Sequence, residues 1–212
     1  MHALVGFLAV ISAVFAYAAS GWIYGDNSGE VSVTDVPVVT KLVQQNFDDF
    51  SQRALRKQIS ECMKDSYQYL AMSMYFDQTD IALPGFHKMF KDFSDREMSN
   101  AIKLMNYMNL REGALKLSGV QEPKVSNDWQ NGEAALLSSL RMEKKANTKF
   151  MTLLKLSLEK HDPHLKQFIE DSFLDQKVKV IKDLGDKITR LGKYKVEHPG
   201  LGLQMFDNSL LG

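Results

Sequence analysis

Glu97 and Asn100 stand three apart in the stretch "DREMSNAIK" (residues 95–103), in the middle of an otherwise apolar series Phe86, Phe90, Phe93, Leu104. The steps of four and three put all six on one face of a helix. A Glu-x-x-His pair at this spacing sets two metal ligands one turn apart, the arrangement that holds metal inside helical bundles. Here the second residue is an asparagine, so the pair offers one carboxylate and one neutral amide. Three other apolar series break in the same way. Cys62, Ser66 and Tyr69 interrupt Ile59–Phe76; Glu143 and Asn147 interrupt Leu136, Leu140, Phe150, Leu154; Lys177 interrupts Ile169, Phe173, Val180, Leu184, Ile188. Up-down helix pairs joined by a long crossover would bring the four breaks to one level. Polar groups in such a layer must be hydrogen-bonded, paired or metal-bound, because an isolated buried charge costs several kcal/mol.

The elements that must position these groups are long helices. The chain of 212 residues is 44% hydrophobic and 25% charged, enough for one domain with a sizeable core. It has five prolines, and only Pro84, Pro123 and Pro163 lie between Val38 and Leu191. A helical pattern begins at about Lys41 and runs to Phe76. "DQTDIALP" breaks it, and Pro84 suits the first turn of a second helix that continues to about Arg111. "ALKLSGVQEPKVSND" is long for a helix connection and fits a crossover. A third helix starts near Trp129 to Asn131. "KHDPHL" ends it, with Asp162 placed to cap a fourth helix and Pro163 at its first position. "LGKYKVEHPG" stops the fourth, and "LGLQMFDNSLLG" suits a short fifth. The expected class is all-α.

Lys plus Arg equals Asp plus Glu at 26 each, so formal net charge is zero. No basic excess points to nucleic acid, and no Lys/Arg cluster points to an anionic membrane. Residues 1–18 read as a secretory signal peptide: an uncharged apolar run precedes Ala16-Tyr17-Ala18, the A-x-A pattern of a cleavage point. An uncleaved anchor is the rival reading, although about 17 apolar residues is at the short limit of a membrane span. A secretory lumen is the expected location, with no membrane span after cleavage. Residues 19–41 are rich in Gly, Ser and Asp and read as an extended arm. Cys62 is the single cysteine, which excludes an intrachain disulfide and leaves a small core residue or an intermolecular bond.

Four separated segments, "SYQYLAMSMYFDQTDIALPGFHKMF", "RMEKKAN", "KHDPHLKQFIEDSFLDQKVKVIKDLGDKITRL" and the closing "MFDNSLLG", resemble ferritin in order and spacing. The resemblance covers about residues 42–212. It implies a ferritin-like four-helix bundle with a long crossover between helices two and three, a short fifth helix, and a hollow twenty-four-subunit shell that stores iron as ferric mineral. Catalytic subunits of that family bind two irons through carboxylates and a histidine, with a tyrosine and a glutamine nearby. On this chain Tyr69, Glu97 and Glu143 match the family's tyrosine, bridging glutamate and third-helix glutamate. Cys62, Asn100 and Lys177 stand where the first-helix glutamate, the histidine and the glutamine should be.

Ferrous ions favour hard oxygen ligands and imidazole. Glu97 and Glu143 supply two negative charges, and Lys177 at the same level would leave about one. The expectation is that the ammonium takes the place of metal and pairs with Glu97 or Glu143, so no di-iron centre forms and Glu97 and Glu143 are at most weak metal ligands. Iron is then cargo, and the resemblance implies a light-chain-like subunit co-assembling with a catalytic heavy-type chain. Two alternatives stay open: an active ferroxidase with rearranged ligands, and a secreted carrier or yolk protein on the ferritin scaffold. Asp92 and Asp95 lie among Lys88, Lys91 and Arg96 on the helix face that lines the cavity in ferritins, and read as a mineral face or as a solvated one. Glu170 matches the second carboxylate of the family's ion channel, whereas Gln167 replaces the first. The five histidines have no mutual ligand spacing, and the methionines read as core filling.

Overall fold

The molecule is described by a computed structural model over residues 42–124, 129 and 132–212. The signal-peptide and arm readings, 1–18 and 19–41, lie outside the described residues. The helices are α1 (Asp49–Phe76), α2 (Pro84–Leu110), α3 (Gly132–Glu159), α4 (Pro163–Ile169), α5 (Asp175–Glu197) and α6 (Gly202–Asn208). A π-helical turn, Glu170–Leu174, joins α4 to α5 in one continuous rod. These are the expected four long helices and short fifth, and no described helix is long and apolar enough to cross a membrane.

The first helix starts later than its pattern suggested. The Asp48 carboxylate accepts from the Ser51 amide at 2.7 Å and caps α1. Upstream, the chain is committed elsewhere. Arg111 donates to the carbonyls of Gln45 and Asn46 at 3.0 and 3.1 Å, and Glu112 accepts from the amides of Leu42, Val43 and Gln44. Asn46 takes a positive φ of 48°. Backbone groups used this way cannot continue a helix.

The α1 and α2 helices pack as an antiparallel pair, and α3 pairs with the α4–α5 rod. The crossover runs beside α1 in the same direction. Gln52 and Arg56 hold Ala114, Ser60 shares a 2.7 Å hydrogen bond with Ser118, and Gln68 exchanges two with the Lys124 backbone. These α1 residues, Gln52, Arg56, Ser60 and Gln68, are spaced by four or eight, which is why an extended strap can follow one helix face. The second helix has no side-chain cap of its own; Asp207 of α6 supplies one by accepting from the amides of Gly85 and Phe86 at 3.1 and 2.8 Å. The approach requires glycine, because a Cβ at Gly85 would lie 2.0 Å from the Asp207 carbonyl oxygen.

Two apolar cores occupy the two ends of the bundle. One gathers Phe76, Phe86, Phe90, Leu136, Leu184 and Phe206; the other gathers Leu55, Ile59, Leu104, Phe150, Ile169 and Phe173. Every position of the α1 and α2 series is buried. The third helix departs from its expected face. Ser139, Ala146 and Leu153 are buried, whereas Leu140, Asn147 and Leu154 are only half-buried. At two of these positions small side chains take the contact line, and Ser139 satisfies its hydroxyl there by returning it to the Ala135 carbonyl at 2.9 Å. The fourth series carries a second surprise. Leu165, Ile169, Phe173 and Lys177 are all buried at steps of four, which in an ideal α-helix drift by about 40° per step. The wider π turn takes up the excess and keeps Lys177 pointing inward.

Candidate functional site

Between the two apolar cores lies the polar layer, and the helices bring members of all four breaks into direct contact. From α5, Lys177 Nζ donates to Glu97 Oε1 of α2 at 2.6 Å and to Glu143 Oε2 of α3 at 2.8 Å. All three side chains are at most 1% exposed. The expected pairing with one glutamate or the other is thus a bridge to both. Tyr69 of α1 donates its hydroxyl to Glu143 Oε1 at 2.9 Å. Its ring is fixed edge-on to Phe93 and stacked on Phe90. Asn100 donates to Glu97 Oε2 at 3.3 Å and to Gln176 Oε1 at 3.0 Å, while its own carbonyl oxygen is buried without a partner. Cys62 sits two turns before Tyr69 on α1, 1% exposed, with its sulfur accepting from Gln58 at 3.6 Å. So buried a thiol is out of reach of a partner chain's sulfur.

One member of this network departs from its expected place. The sequence sets Arg96 with Lys88 and Lys91 on the outer, charged face of α2, yet its side chain is only 17% exposed. It turns inward over the Phe93 ring, 4.3 Å from the centroid. Its guanidinium donates to Glu143 Oε1 at 2.5 Å and to Glu97 Oε1 at 3.2 Å. The charge count changes with it. Two carboxylates now face two cations, so the cluster is neutral rather than singly negative. A residue adjacent to the stripe could have been suspected, since a long guanidinium reaches across a helix face toward a buried carboxylate.

The electrostatics follow the geometry. Burial pulls the Lys177 ammonium downward, but Glu97 and Glu143 beside it prevail and hold its pKa above the ordinary lysine value. Burial pushes Glu97 upward, and Lys177 and Arg96 outweigh it, so its pKa stays below the usual carboxylate range. Both groups are therefore charged at neutral pH. Burial, reinforced by Glu97, pushes the Cys62 thiol up to about 12, which keeps it protonated. Tyr69 is raised well above its usual value by burial and by Glu143. Asp65, which lies off the apolar series of α1, is raised to about 6, first by burial and then by Glu97, against the opposing pull of Lys149.

The remaining candidates stand apart from this cluster. Asp92 pairs with Lys88 at 3.1 Å and Asp95 with Lys91 at 2.5 Å, all on the exposed face of α2. Glu170 opens the π turn and pairs with Lys166 at 2.7 Å, and Gln167 is exposed beside it. Asn147 makes only a long contact to Met151 sulfur at 3.8 Å and stays off the contact line of α3. Among the described residues, no group of three or more His, Cys, Asp and Glu side chains is arranged to hold a metal ion.

A bundle of four long helices with a crossover along α1, a capping fifth helix and a polar layer at mid-height accounts for nearly the whole described chain. The family model described as the ferritin-like domain matches residues 52–193, from the second turn of α1 to near the end of α5. The chain belongs to the ferritin family.

Proposed function

We propose that this chain is a light-chain-like shell subunit of a secretory-pathway ferritin, with a degenerate ferroxidase site, which co-assembles with a catalytic heavy-type chain. The family carries a general iron-storage role. The finer reading rests on one observation: Lys177 Nζ lies within 2.8 Å of both Glu97 and Glu143. A di-iron centre does not fit these residues. The two carboxylates already face an ammonium and a guanidinium, Asn100 turns its NH₂ group toward Glu97, and the Cys62 thiol is held protonated. A dication brought to this layer would meet two fixed positive charges, and the four charged groups in contact bring no net negative charge to attract it. Iron is then handled as cargo, oxidised by the partner chain and stored in the shared shell. Secretion rests on residues 1–18, and a native chain beginning at Ala19 is its direct check.

Oxidation kinetics test the reading. The full chain assembled alone and given ferrous iron in air should show slow, unsaturable growth of ferric absorbance. Mixed shells containing a catalytic chain should load iron. A fast phase saturating at two irons per subunit in the chain alone would overturn the proposal.

A further inference from the structure

The charged groups of the polar core are closed off except at one of them. Lys177, Glu97 and Glu143 are at most 1% exposed, and Arg96, at 17%, is the charged group of the cluster that reaches solvent; the neutral Gln176, bonded to Asn100, is half-buried. Its two contacts are not equivalent to those of the lysine. Lys177 holds Glu143 through Oε2, whereas Arg96 takes Oε1, the same oxygen that accepts from Tyr69. On Glu97 the two cations share Oε1. The guanidinium thus spans both carboxylates by itself. Its plane is braced against Phe93, and a planar fork holds such a bridge better than a point charge.

We propose that Arg96 is a specificity-determining residue, a guanidinium plug that bars cations from the polar core independently of Lys177. The inference rests on the storage reading above and deepens it, because that reading takes the two cations together and does not separate the part each plays. To bind here, a hard cation needs net negative charge, free carboxylate lone pairs and a way in. Removal of Lys177 leaves two carboxylates and one guanidinium. One negative charge is freed, yet the guanidinium still covers an oxygen of each glutamate and still closes the exposed side. Removal of Arg96 as well leaves charge, lone pairs and access together.

Terbium(III), an oxygen-seeking ion whose emission is sensitised by a nearby tyrosine, reads this directly, since the Tyr69 hydroxyl touches Glu143. Titrations would compare the assembled full chain with its Lys177→Gln, Arg96→Gln and Arg96→Gln/Lys177→Gln variants. Surface sites contribute equally to all four. The double variant should gain one further ion per chain, bound at least about tenfold more tightly than any ion gained by Lys177→Gln, a difference that marks a distinct site. That added emission should fall when Tyr69→Phe is introduced into the double variant. Equal gain in Lys177→Gln alone would overturn the proposal, and so would no gain in the double variant. Where an unbalanced variant does not fold, Glu97→Gln/Lys177→Gln with and without Arg96→Gln carries the same comparison from a charge-balanced core. Failure of the storage reading looks different: it is a saturable oxidation phase in the unaltered chain.

Discussion

The second helix carries ion pairs on two of its faces, and they differ in everything except chemistry. On the outer face, Lys88–Asp92 and Lys91–Asp95 keep between 42% and 63% of each side chain in solvent. On the inner face, Glu97 meets Lys177 and Arg96 in a site that water barely reaches. An exposed pair exchanges one set of solvated charges for another, and its net worth is about 0–1 kcal/mol. The inner charges have lost their water and have only one another. Each is tolerable because its partners remain, so the cluster stabilises little as a whole while the loss of any one member is costly. The outer pairs decorate the fold. The inner cluster fixes which residues of α2, α3 and α5 share a level.

The largest effect that separates the two faces is the removal of a single inner charge. Lys177→Met should destabilise the chain by about 3–5 kcal/mol, because it strands two buried carboxylates on one guanidinium. Denaturant unfolding of the assembled chain would measure it. The comparison sharpens with a second substitution. Lys177→Met/Glu97→Met leaves Arg96 and Glu143 as a balanced pair, and should recover stability to within about 1 kcal/mol of the unaltered protein. If the double variant stays as unstable as the single one, the geometry of the three-way bridge matters more than its charge balance.

Asp65 offers an intermediate case, a half-buried carboxylate near the cluster with no hydrogen bond to it among the described residues. Its pKa is raised to about 6, chiefly by burial. A carboxyl that binds its proton more tightly when folded destabilises the fold once ionised. Its penalty is absent below the unfolded pKa, grows as pH rises from about 4 to 6, and is complete above that. Asp65→Asn should therefore stabilise the chain by about 1–3 kcal/mol at neutral pH, and the gain should vanish near pH 4. Unfolding measured at both ends of that window gives the sign. A gain that is equal at both would remove the burial explanation.

Much of this was legible in the sequence, but unevenly. The series of α1 and α2 read correctly to the residue because their apolar members are large and evenly spaced, and a helix buries such a face as a unit. The third helix misled because its contact line runs through Ser139 and Ala146, whose small size is what lets a neighbour approach. Hydropathy ranks Ser139 below Leu140 beside it, and it cannot choose between Leu153 and Leu154. The level of the polar layer followed from the breaks in four separate stripes, since helices of similar length in register must align them. Arg96 was legible only as a residue that could reach inward, not as one that does. It lies one residue off the stripe, and only the position of Glu143 on a different helix decides that it turns inward. The π turn left a trace in the steps of four from Leu165 to Lys177, which no straight α-helix would bury together.

The smallest expected effect belongs to the outer face. In both of its pairs the lysine precedes the aspartate by four residues, the weaker orientation for a helical ion pair. Asp92→Ala and Asp95→Ala should each change stability by less than about 0.5 kcal/mol, and added salt should erase even that. The same pairing bears on whether this face gathers mineral. Lys88 and Lys91 cancel the charge of Asp92 and Asp95, so the field offered to incoming iron is weak. Mixed shells built with the Asp92→Ala/Asp95→Ala variant should load iron as fast as those with the unaltered chain. A clear slowing of ferric growth would give the exposed pairs a function that the buried ones lack, and would reverse the contrast between the two faces of α2.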